Sequence, residues 1–278
     1  MIGIDLMPQL NTESAAVRSP ILSVQGLSKS YRTPSGPRLV LDHIDLEVER
    51  GQFLCIVGPS GAGKTTLLRC LAGLMPPTEG AAYLGGEKID KPPARLAVVF
   101  QDYSRSLMPW MSVEANVELP LRSKGLSKAE RIISARAALH AVGLPASTRD
   151  QYPWQLSGGM QQRVAIARAL AFEPEALLMD EPFASVDAQT RADLEDLILS
   201  LRNEFGVTVV LVTHDIDEAV YLGDEVAVLS GSPTRVRERI AVPLGAHRDQ
   251  LTTKALPEFA ELRTRVLKLI KSGNARVD

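Results

Sequence analysis

The spacing of hydrophobic and polar residues along the chain predicts a series of strands. Residues 21–24 and 41–48 alternate between apolar and polar side chains, as strands with one buried face do. Residues 53–57 form a continuous apolar run, which suits a strand buried on both faces. Further strand-length apolar runs occupy residues 97–100, 176–179, 207–213 and 225–229.

Helical periodicity fills the stretches between these runs. Helices are predicted over residues 64–72 and 190–204. Between residues 102 and 171 helical periodicity dominates, for example over 128–142, which indicates a helical insertion. The alternation of strand, helix and strand predicts an α/β fold with a mainly parallel sheet covered by helices.

The two ends of the chain differ from its centre. Residues 1–19 are polar and show no pattern, so we expect a flexible leader there and no secretory signal. An ordered domain is predicted over residues 20–232, followed by a short C-terminal extension over 233–278. The extension ends in an amphipathic helix whose apolar face consists of Phe259, Leu262, Val266 and Leu269.

Composition narrows the classes of function. The chain has 278 residues, of which 45% are hydrophobic, and a formal net charge of −2. Because no basic excess attracts nucleic acid, no nucleic-acid partner is expected. No apolar run approaches the ~20 residues of a membrane span, so any membrane role would need a partner. Cys55 and Cys70 lie in segments predicted to be buried, which favours structural thiols in a reducing compartment over a disulfide or metal site.

A glycine-rich loop follows the strand at 53–57 and precedes a helix. It matches the pattern GxxxxGK[ST], in which backbone N–H groups and the helix N-terminus surround phosphates. Lys64 is expected to contact the β- and γ-phosphates, and the Thr65 hydroxyl to bind Mg²⁺. The alternative is a glycine-rich turn with an unrelated lysine. The predicted nucleotide-binding set is Gly58, Pro59, Ser60, Gly61, Ala62, Gly63, Lys64, Thr65 and Thr66.

Two other predicted strands end in residues suited to phosphate chemistry. Asp180 and Glu181 end the strand at 176–179, at the edge where parallel sheets bind ligands. Asp180 is expected to hold Mg²⁺ through water, and Glu181 to orient or deprotonate the attacking water. His214 follows the strand at 207–213 and is expected to contact the γ-phosphate. The alternatives are a solvated acidic pair and a structural histidine.

A second helix N-terminus is shaped for an anion. Residues 156–163 read Leu-Ser-Gly-Gly-Met-Gln-Gln-Arg, with Ser157 as the N-cap and with Gly158 and Gly159 leaving the first N–H groups unobstructed. An ordinary capped helix is the alternative, but capping alone does not require two glycines. This segment resembles the signature motif of the ABC (ATP-binding cassette) ATPase family, and the resemblance extends over residues 21–230.

That resemblance implies a P-loop NTPase (RecA-like) core with a mainly parallel sheet, an N-terminal antiparallel β part and an inserted α-helical subdomain. It also implies ATP and Mg²⁺ as cofactors. In the family, two chains enclose two ATP molecules head to tail, so Ser157, Gly158, Gly159 and Gln161 would face the nucleotide of a second copy. Dimer closure on ATP and opening after hydrolysis would be the power stroke.

Further positions carry over one by one. Gln101 resembles the glutamine that senses Mg²⁺, the γ-phosphate and the membrane partner. Asp187, in Ser185-Val186-Asp187, resembles the acid of the family's D-loop at the dimer interface, although the family more often has Ala-Leu-Asp. Tyr31 resembles the aromatic residue that stacks on adenine, with an ordinary half-buried strand tyrosine as the alternative.

The segments 100–113, 181–191 and 257–262 are similar to the nitrate, sulfonate and taurine branch of bacterial importers. The resemblance implies a motor on the cytoplasmic face of the inner membrane, held by permease chains that contact residues 101–113 and linked indirectly to a solute-binding protein. An export or lipid-trafficking motor and a nucleotide-gated switch with little hydrolysis remain alternatives. Nothing in the sequence identifies the solute.

Overall fold

Strands and helices alternate along most of the chain. The computed structural model describes residues 20–102 and 106–274, so the predicted leader at 1–19 lies outside the described residues. In chain order the strands and α-helices are β1 (Leu22–Thr33), β2 (Gly36–Val48), β3 (Phe53–Val57), α1 (Lys64–Leu71), β4 (Glu79–Leu84), β5 (Glu87–Lys88), β6 (Leu96–Val99), α2 (Val113–Glu118), α3 (Lys128–Ala141), α4 (Gly158–Ala171), β7 (Ala176–Asp180), α5 (Ala188–Phe205), β8 (Thr208–Thr213), α6 (Ile216–Leu222), β9 (Glu225–Ser230), β10 (Arg235–Ala241) and α7 (Pro257–Asn274).

A six-stranded sheet in the order β10-β9-β3-β8-β7-β6 forms the centre of the fold. Its strands pair in parallel from β9 to β6, and β10 pairs antiparallel with β9. The predicted α/β fold with a mainly parallel sheet is therefore confirmed. β10 continues this sheet beyond residue 232, where the sequence predicts the start of the C-terminal extension.

A second sheet, in the order β2-β1-β4-β5, is antiparallel, as the resemblance implied. The sequence predicted only residues 21–24 of β1, because register shifts between Val24 and Ser30 interrupt the alternation that marks a half-buried strand. β4 and β5 were not predicted. β4 has the weak pattern Glu-Gly-Ala-Ala-Tyr-Leu, and pairing with β1 defines it as a strand.

The hydrophobic core lies on both faces of the parallel sheet. Leu54 and Ile56 of β3 pack with α1 and the antiparallel sheet, whereas Phe53, Cys55 and Val57 pack with helices on the other face. All five side chains are fully buried. This two-sided burial explains the unbroken apolar run at 53–57.

The predicted helical insertion contains α2, α3 and α4, which pack against one another. Ser127 caps α3 in a capping box with Glu130, and Ser112 caps α2. A well-buried ion pair at 2.8 Å joins Arg131 of α3 to Glu118 of α2. The insertion is therefore held by its own caps and contacts as well as by the sheet.

The C-terminal helix α7 packs against α6 and β9. Phe259 and Val266 are buried, and the half-buried Leu262 and Leu269 pack on the same core, which confirms the predicted apolar face. Cys55 and Cys70 are both free and buried. Within the described ranges, no helix combines the length and apolar character needed to span a membrane.

Candidate active site

The predicted site residues follow strands whose carboxyl ends are aligned by parallel pairing. Val57, the last residue of β3, pairs with Thr213, the last residue of β8. Asp180 at the end of β7 pairs with Val212, and Val99 at the end of β6 pairs with Met179. The loops that begin at residues 58, 100, 181 and 214 therefore leave the sheet at one edge, as Asp180, Glu181 and His214 were predicted to do.

The glycine-rich loop closes tightly at the N-terminus of α1. Gly63 precedes the helix with a φ of 75°, in the left-handed region that favours glycine. A Cβ there would lie 2.8 Å from Val40 Cγ1 and 2.9 Å from Leu41 Cδ2, so β2 also leaves no room for a side chain. The loop thus presents its backbone N–H groups and the helix N-terminus at one point, which fits a phosphate.

Lys64 is held over this loop. Its Nζ donates to the carbonyl oxygens of Gly58 at 2.9 Å and Pro59 at 3.1 Å. Burial lowers the pKa of Lys64, while the nearby Glu181 and Asp180 carboxylates act in the opposite direction. The ammonium group is therefore already positioned at the loop, where it can exchange carbonyl partners for phosphate oxygens.

Thr65 and Asp180 form a pair of oxygen ligands. The Thr65 hydroxyl donates to Asp180 Oδ1 at 3.1 Å, and Asp180 is buried. Burial raises the pKa of Asp180, and the Thr65 hydrogen bond partly offsets this effect. No cluster of three or more His, Cys, Asp or Glu side chains suited to a metal occurs among the described residues. The hydroxyl and carboxylate fit Mg²⁺, which commonly takes its other ligands from water and phosphate.

Glu181, the second residue of the acidic pair, contacts residues that follow the two neighbouring strands, β6 and β8. Its Oε2 lies 3.2 Å from Gln101 Nε2, which donates to it, and 3.1 Å from His214 Nδ1. Its backbone has a φ of 44°, a strained value for a residue other than glycine, and its N–H donates to Val212 O at 2.8 Å. Gln101, Glu181 and His214 thus form one group beside Asp180 and Lys64.

Tyr31 stands beside the start of α1. Its hydroxyl lies 3.2 Å from Thr66 Oγ1 and donates to Met75 Sδ at the same distance. The side chain remains 37% exposed, so one part of it is anchored while another part faces solvent. This arrangement brings Tyr31 to the phosphate loop, and its role as a platform for a base stays a prediction.

The second anion-suited helix N-terminus, at α4, is packed against α5. Ser157 accepts from Met160 N at 3.3 Å, and Gln161 Nε2 donates to Leu156 O at 3.2 Å. A Cβ at Gly159 would lie only 2.4 Å from Thr190 Cγ2 of α5. The close approach of the two helices therefore requires a glycine at position 159.

Asp187 caps α5 next to this contact. Its carboxylate accepts from Thr190 N at 3.0 Å and from Thr190 Oγ1 at 2.7 Å, and these hydrogen bonds hold the pKa of Asp187 below its usual value. Within the described part of the chain, no hydrogen bond or ion pair joins residues 157–161 or 187–190 to residues 58–66. The fold thus carries two separate sets of predicted nucleotide-binding residues.

The structure adds Tyr152 and Trp154, which the sequence did not single out, to Trp110 of the segment 101–113. Trp110, Tyr152 and Trp154 are exposed, and the rings of Tyr152 and Trp154 stack with centroids 6.1 Å apart. Backbone hydrogen bonds from Val113 and Glu114 to residues 151 and 149 hold the two segments together. We call these three aromatic side chains the aromatic surface. Tyr152 and Trp154 were missed because the chain before them meets residues 113 and 114 only through tertiary packing.

Known proteins resemble this chain over most of its length. A family model described as ABC transporter matches residues 41–184. The nitrate import ATP-binding protein of Synechococcus elongatus is 38% identical over 264 residues, covering 94% of this chain and 95% of that protein. The taurine import ATP-binding protein of Escherichia coli O157:H7 is 43% identical over 239 residues, covering 84% and 92%. A solved dimeric ATP-binding cassette in a post-hydrolysis state with ADP and Pi has a TM-score of 0.70 at 34% identity, covering 80% of this chain and 98% of its own.

The packing of Gly159 against α5 can be tested by urea unfolding. Gly159→Ala should lower the free energy of unfolding by about 1–3 kcal/mol, because its methyl group would overlap Thr190 Cγ2. Thr190→Ser removes that methyl group and keeps the hydroxyl that bonds Asp187, so the double variant should recover most of the loss. Equal destabilisation by Gly159→Ala in both backgrounds would contradict this contact.

Proposed function

Since the chain belongs to the ABC transporter family of ATP-binding subunits, which hydrolyse ATP to drive transport, we propose that it is the motor of a bacterial importer for a small anionic solute. The observation that carries this proposal is the group at the sheet edge. Glu181 lies within 3.2 Å of both Gln101 and His214, beside the Thr65–Asp180 pair. The import proteins for nitrate and taurine that share 38% and 43% identity with the chain support the solute class.

In the proposed mechanism each part of the edge has one task. The backbone of residues 58–63 and the Lys64 ammonium bind the phosphates of ATP. Thr65, Asp180 and Gln101 would hold Mg²⁺, which would neutralise phosphate charge. Glu181 accepts the proton of the attacking water, because its carboxylate lies at the sheet edge beside the phosphate loop. His214, which contacts the same carboxylate, orients the γ-phosphate.

The proposed active unit contains two copies of the chain. Among the described residues, no hydrogen bond or ion pair joins Ser157, Gly158, Gly159 or Gln161 to the phosphate loop of their own chain, so a second copy would bring them to a phosphate loop. The Gly159–Thr190 contact joins this segment to the helix capped by Asp187, so both would reach the partner together. The likeness to a solved dimeric cassette supports this assembly.

The aromatic surface is the proposed contact for the permease. Trp110 and Trp154 are 73% and 71% exposed, which is unusual for side chains this large. Trp110 lies in the segment 101–113 that the sequence assigned to the permease, and the Gln101 end of that segment contacts Glu181. A permease bound here would therefore be linked to the hydrolytic group, and would hold the motor on the cytoplasmic face of the membrane.

Replacing Glu181 tests its role in hydrolysis. Glu181→Gln should keep ATP binding but lower the turnover by about 10²- to 10⁴-fold, because an amide cannot accept the proton. An ATP-bound dimer should then accumulate. Phosphate release and size-exclusion chromatography with ATP measure the two effects, with the exposed Glu258→Gln as the matched control. Rapid turnover by Glu181→Gln would remove the assignment.

Replacing the two exposed tryptophans tests the permease contact. Trp110→Ala with Trp154→Ala should leave hydrolysis by the isolated chain within about twofold, because neither residue contacts the phosphate site. Binding to permease-containing membranes should weaken by about 30-fold or more, the effect of losing a central aromatic anchor of at least 2 kcal/mol. Phe205→Ala, which removes an exposed aromatic ring at the end of α5, is the control. Equal binding of the double tryptophan variant and the Phe205→Ala control to these membranes would contradict the proposed permease contact.

Uptake measurements test the import function itself. Cells lacking the chain would be complemented with wild type or Glu181→Gln and given nitrate, taurine, an alkanesulfonate and an unrelated amino acid. We expect wild type alone to restore the uptake of one of the first three solutes. Hydrolysis by the purified chain without any uptake response would retain the ATPase and overturn the importer, in favour of an export motor.

A further inference from the structure

An ion pair joins the first turn of α5 to the loop that carries His214. Arg191 Nη1 donates to Asp215 Oδ2 at 3.1 Å, and each of the two side chains is 33% exposed. A half-buried pair is screened by salt and water less than an exposed one, so the contact can hold a fixed geometry. The proposed mechanism assigns no task to either residue.

The first turn of α5 also carries the residues assigned to the second copy. Asp187 caps the helix, and the backbone N–H of Arg191 donates to its carbonyl oxygen at 2.9 Å. Thr190, the neighbour of Arg191, is bonded to the Asp187 carboxylate and packs against Gly159 of α4. Adjacent residues of one turn therefore contact two parts of the site. Thr190 contacts the segment that would face a second copy, and Arg191 contacts the loop after β8.

The Asp215 side chain is held from two sides. Its Oδ1 caps α6 by accepting from the backbone N–H groups of Asp217 at 2.9 Å and Glu218 at 3.2 Å. Its Oδ2 accepts from Arg191, so the carboxylate spans the starts of α5 and α6. His214 directly precedes Asp215 in the chain. The position of His214 therefore depends on how Arg191 orients this carboxylate.

A small cavity brings Arg191 to the hydrolytic group itself. Arg191, Glu181 and His214 line it together, and its volume of about 40 Å³ is sufficient for a water molecule. The Nε of Arg191 is buried and has no hydrogen-bond partner among the described residues, which fits a hydrated cavity. His214 Nδ1 lies 3.1 Å from Glu181 Oε2. Arg191 is thus next to both groups whose relative position matters for hydrolysis.

The ion pair is not needed to hold the two helices together. Leu194 of α5 and Val220 of α6 are fully buried in the same hydrophobic core. Ion pairs exposed to this degree add little to the stability of a fold. The contribution left to Arg191 is therefore one of direction, because it sets where the Asp215 carboxylate, and with it the loop after β8, lies relative to α5.

We propose that Arg191 is a positioning residue for hydrolysis, which through Asp215 fixes His214 relative to the turn of α5 that meets the second copy. Binding of the second copy at Asp187 and Gly159 would then place His214 at the γ-phosphate. Arg191 itself forms no bond to the substrate. The inference rests on the proposed function, because both the second copy and the task of His214 belong to it.

Steady-state hydrolysis of ATP by single variants tests this role. Arg191→Ala should lower kcat about tenfold or more and leave the KM for ATP within about twofold, because a displaced His214 slows the chemical step while the phosphate loop stays intact. Arg191→Lys, which keeps the charge, should recover about threefold or more of that loss. Arg202→Ala is the matched control, since it removes an ion pair with Asp224 at the other end of α5. Its kcat should stay within about twofold of wild type.

A double-mutant cycle ties the effect to Asp215. Asp215→Asn removes the charge but keeps a residue type that caps helices well. It should lower kcat as Arg191→Ala does, and the double variant should be no slower than either single variant, since all three lack the same ion pair. Losses that multiply in the double variant would show two independent effects and would overturn the role of the pair.

The ATP-bound dimer separates positioning from assembly. Arg191→Ala added to Glu181→Gln should leave the ATP-bound dimer that size-exclusion chromatography detects, and its Tm should lie within about 3 °C of Glu181→Gln alone. A dimer that forms, together with slow hydrolysis by Arg191→Ala, is the result expected of a positioning residue. Loss of the dimer, or a large drop in Tm, would show a structural role and overturn the inference.

The outcomes distinguish this inference from the proposed function. If wild type hydrolyses ATP and Arg191→Ala keeps its kcat, the role of Arg191 is overturned and the motor stands. If wild type does not hydrolyse ATP, or if Glu181→Gln forms no dimer with ATP, the proposed function is overturned as well. If Arg191→Ala does not fold, an unchanged kcat in Asp215→Asn overturns the inference.

Discussion

Parallel pairing of β3, β6, β7 and β8 is the constraint on which the site depends. Each pairing keeps the carboxyl ends of neighbouring strands at the same height, with Val57 beside Thr213 and Asp180 beside Val212. Residues separated by more than a hundred positions thereby meet within hydrogen-bonding distance, as Thr65 and Asp180 do. The buried apolar run of β3 keeps this strand in the middle of the sheet, because apolar side chains pack on both of its faces.

Aligning these ends concentrates ionisable groups where water is partly excluded. Asp180 and Glu218 are both buried, and desolvation raises the pKa of each. Lys64 faces the first and Arg191 the second, so each acid has a cation in its surroundings that limits the cost of burial. Glu181, whose backbone is strained, follows Asp180 in the chain and lines a small cavity together with Glu218, at the point where the reaction is proposed to occur.

The same fold leaves two surfaces that a single chain does not complete. The N-terminus of α4 begins with Gly158 and Gly159 and is packed on α5 through Gly159 and Thr190. The aromatic surface exposes two tryptophans at the edge of the helical insertion. In the proposed function a second copy of the chain binds the first surface and a permease binds the second. Both partners would then be linked to the sheet edge that carries Glu181, so the chain would act as one subunit of a larger assembly.

The sequence by itself determined the motifs and the fold class. The phosphate loop, the acidic pair and the capped helix at residue 157 are read from neighbouring residues, because a turn, a strand end and a cap each need particular residues at short spacing. Only the tertiary structure decided which of them meet. Four features involve residues whose types are compatible with an exposed position. They are the strand β4, the contact of Tyr31 with Thr66, the close packing of Gly159 on Thr190 and the burial of Glu218. Their environment arises from long-range pairing, and that pairing leaves no local pattern.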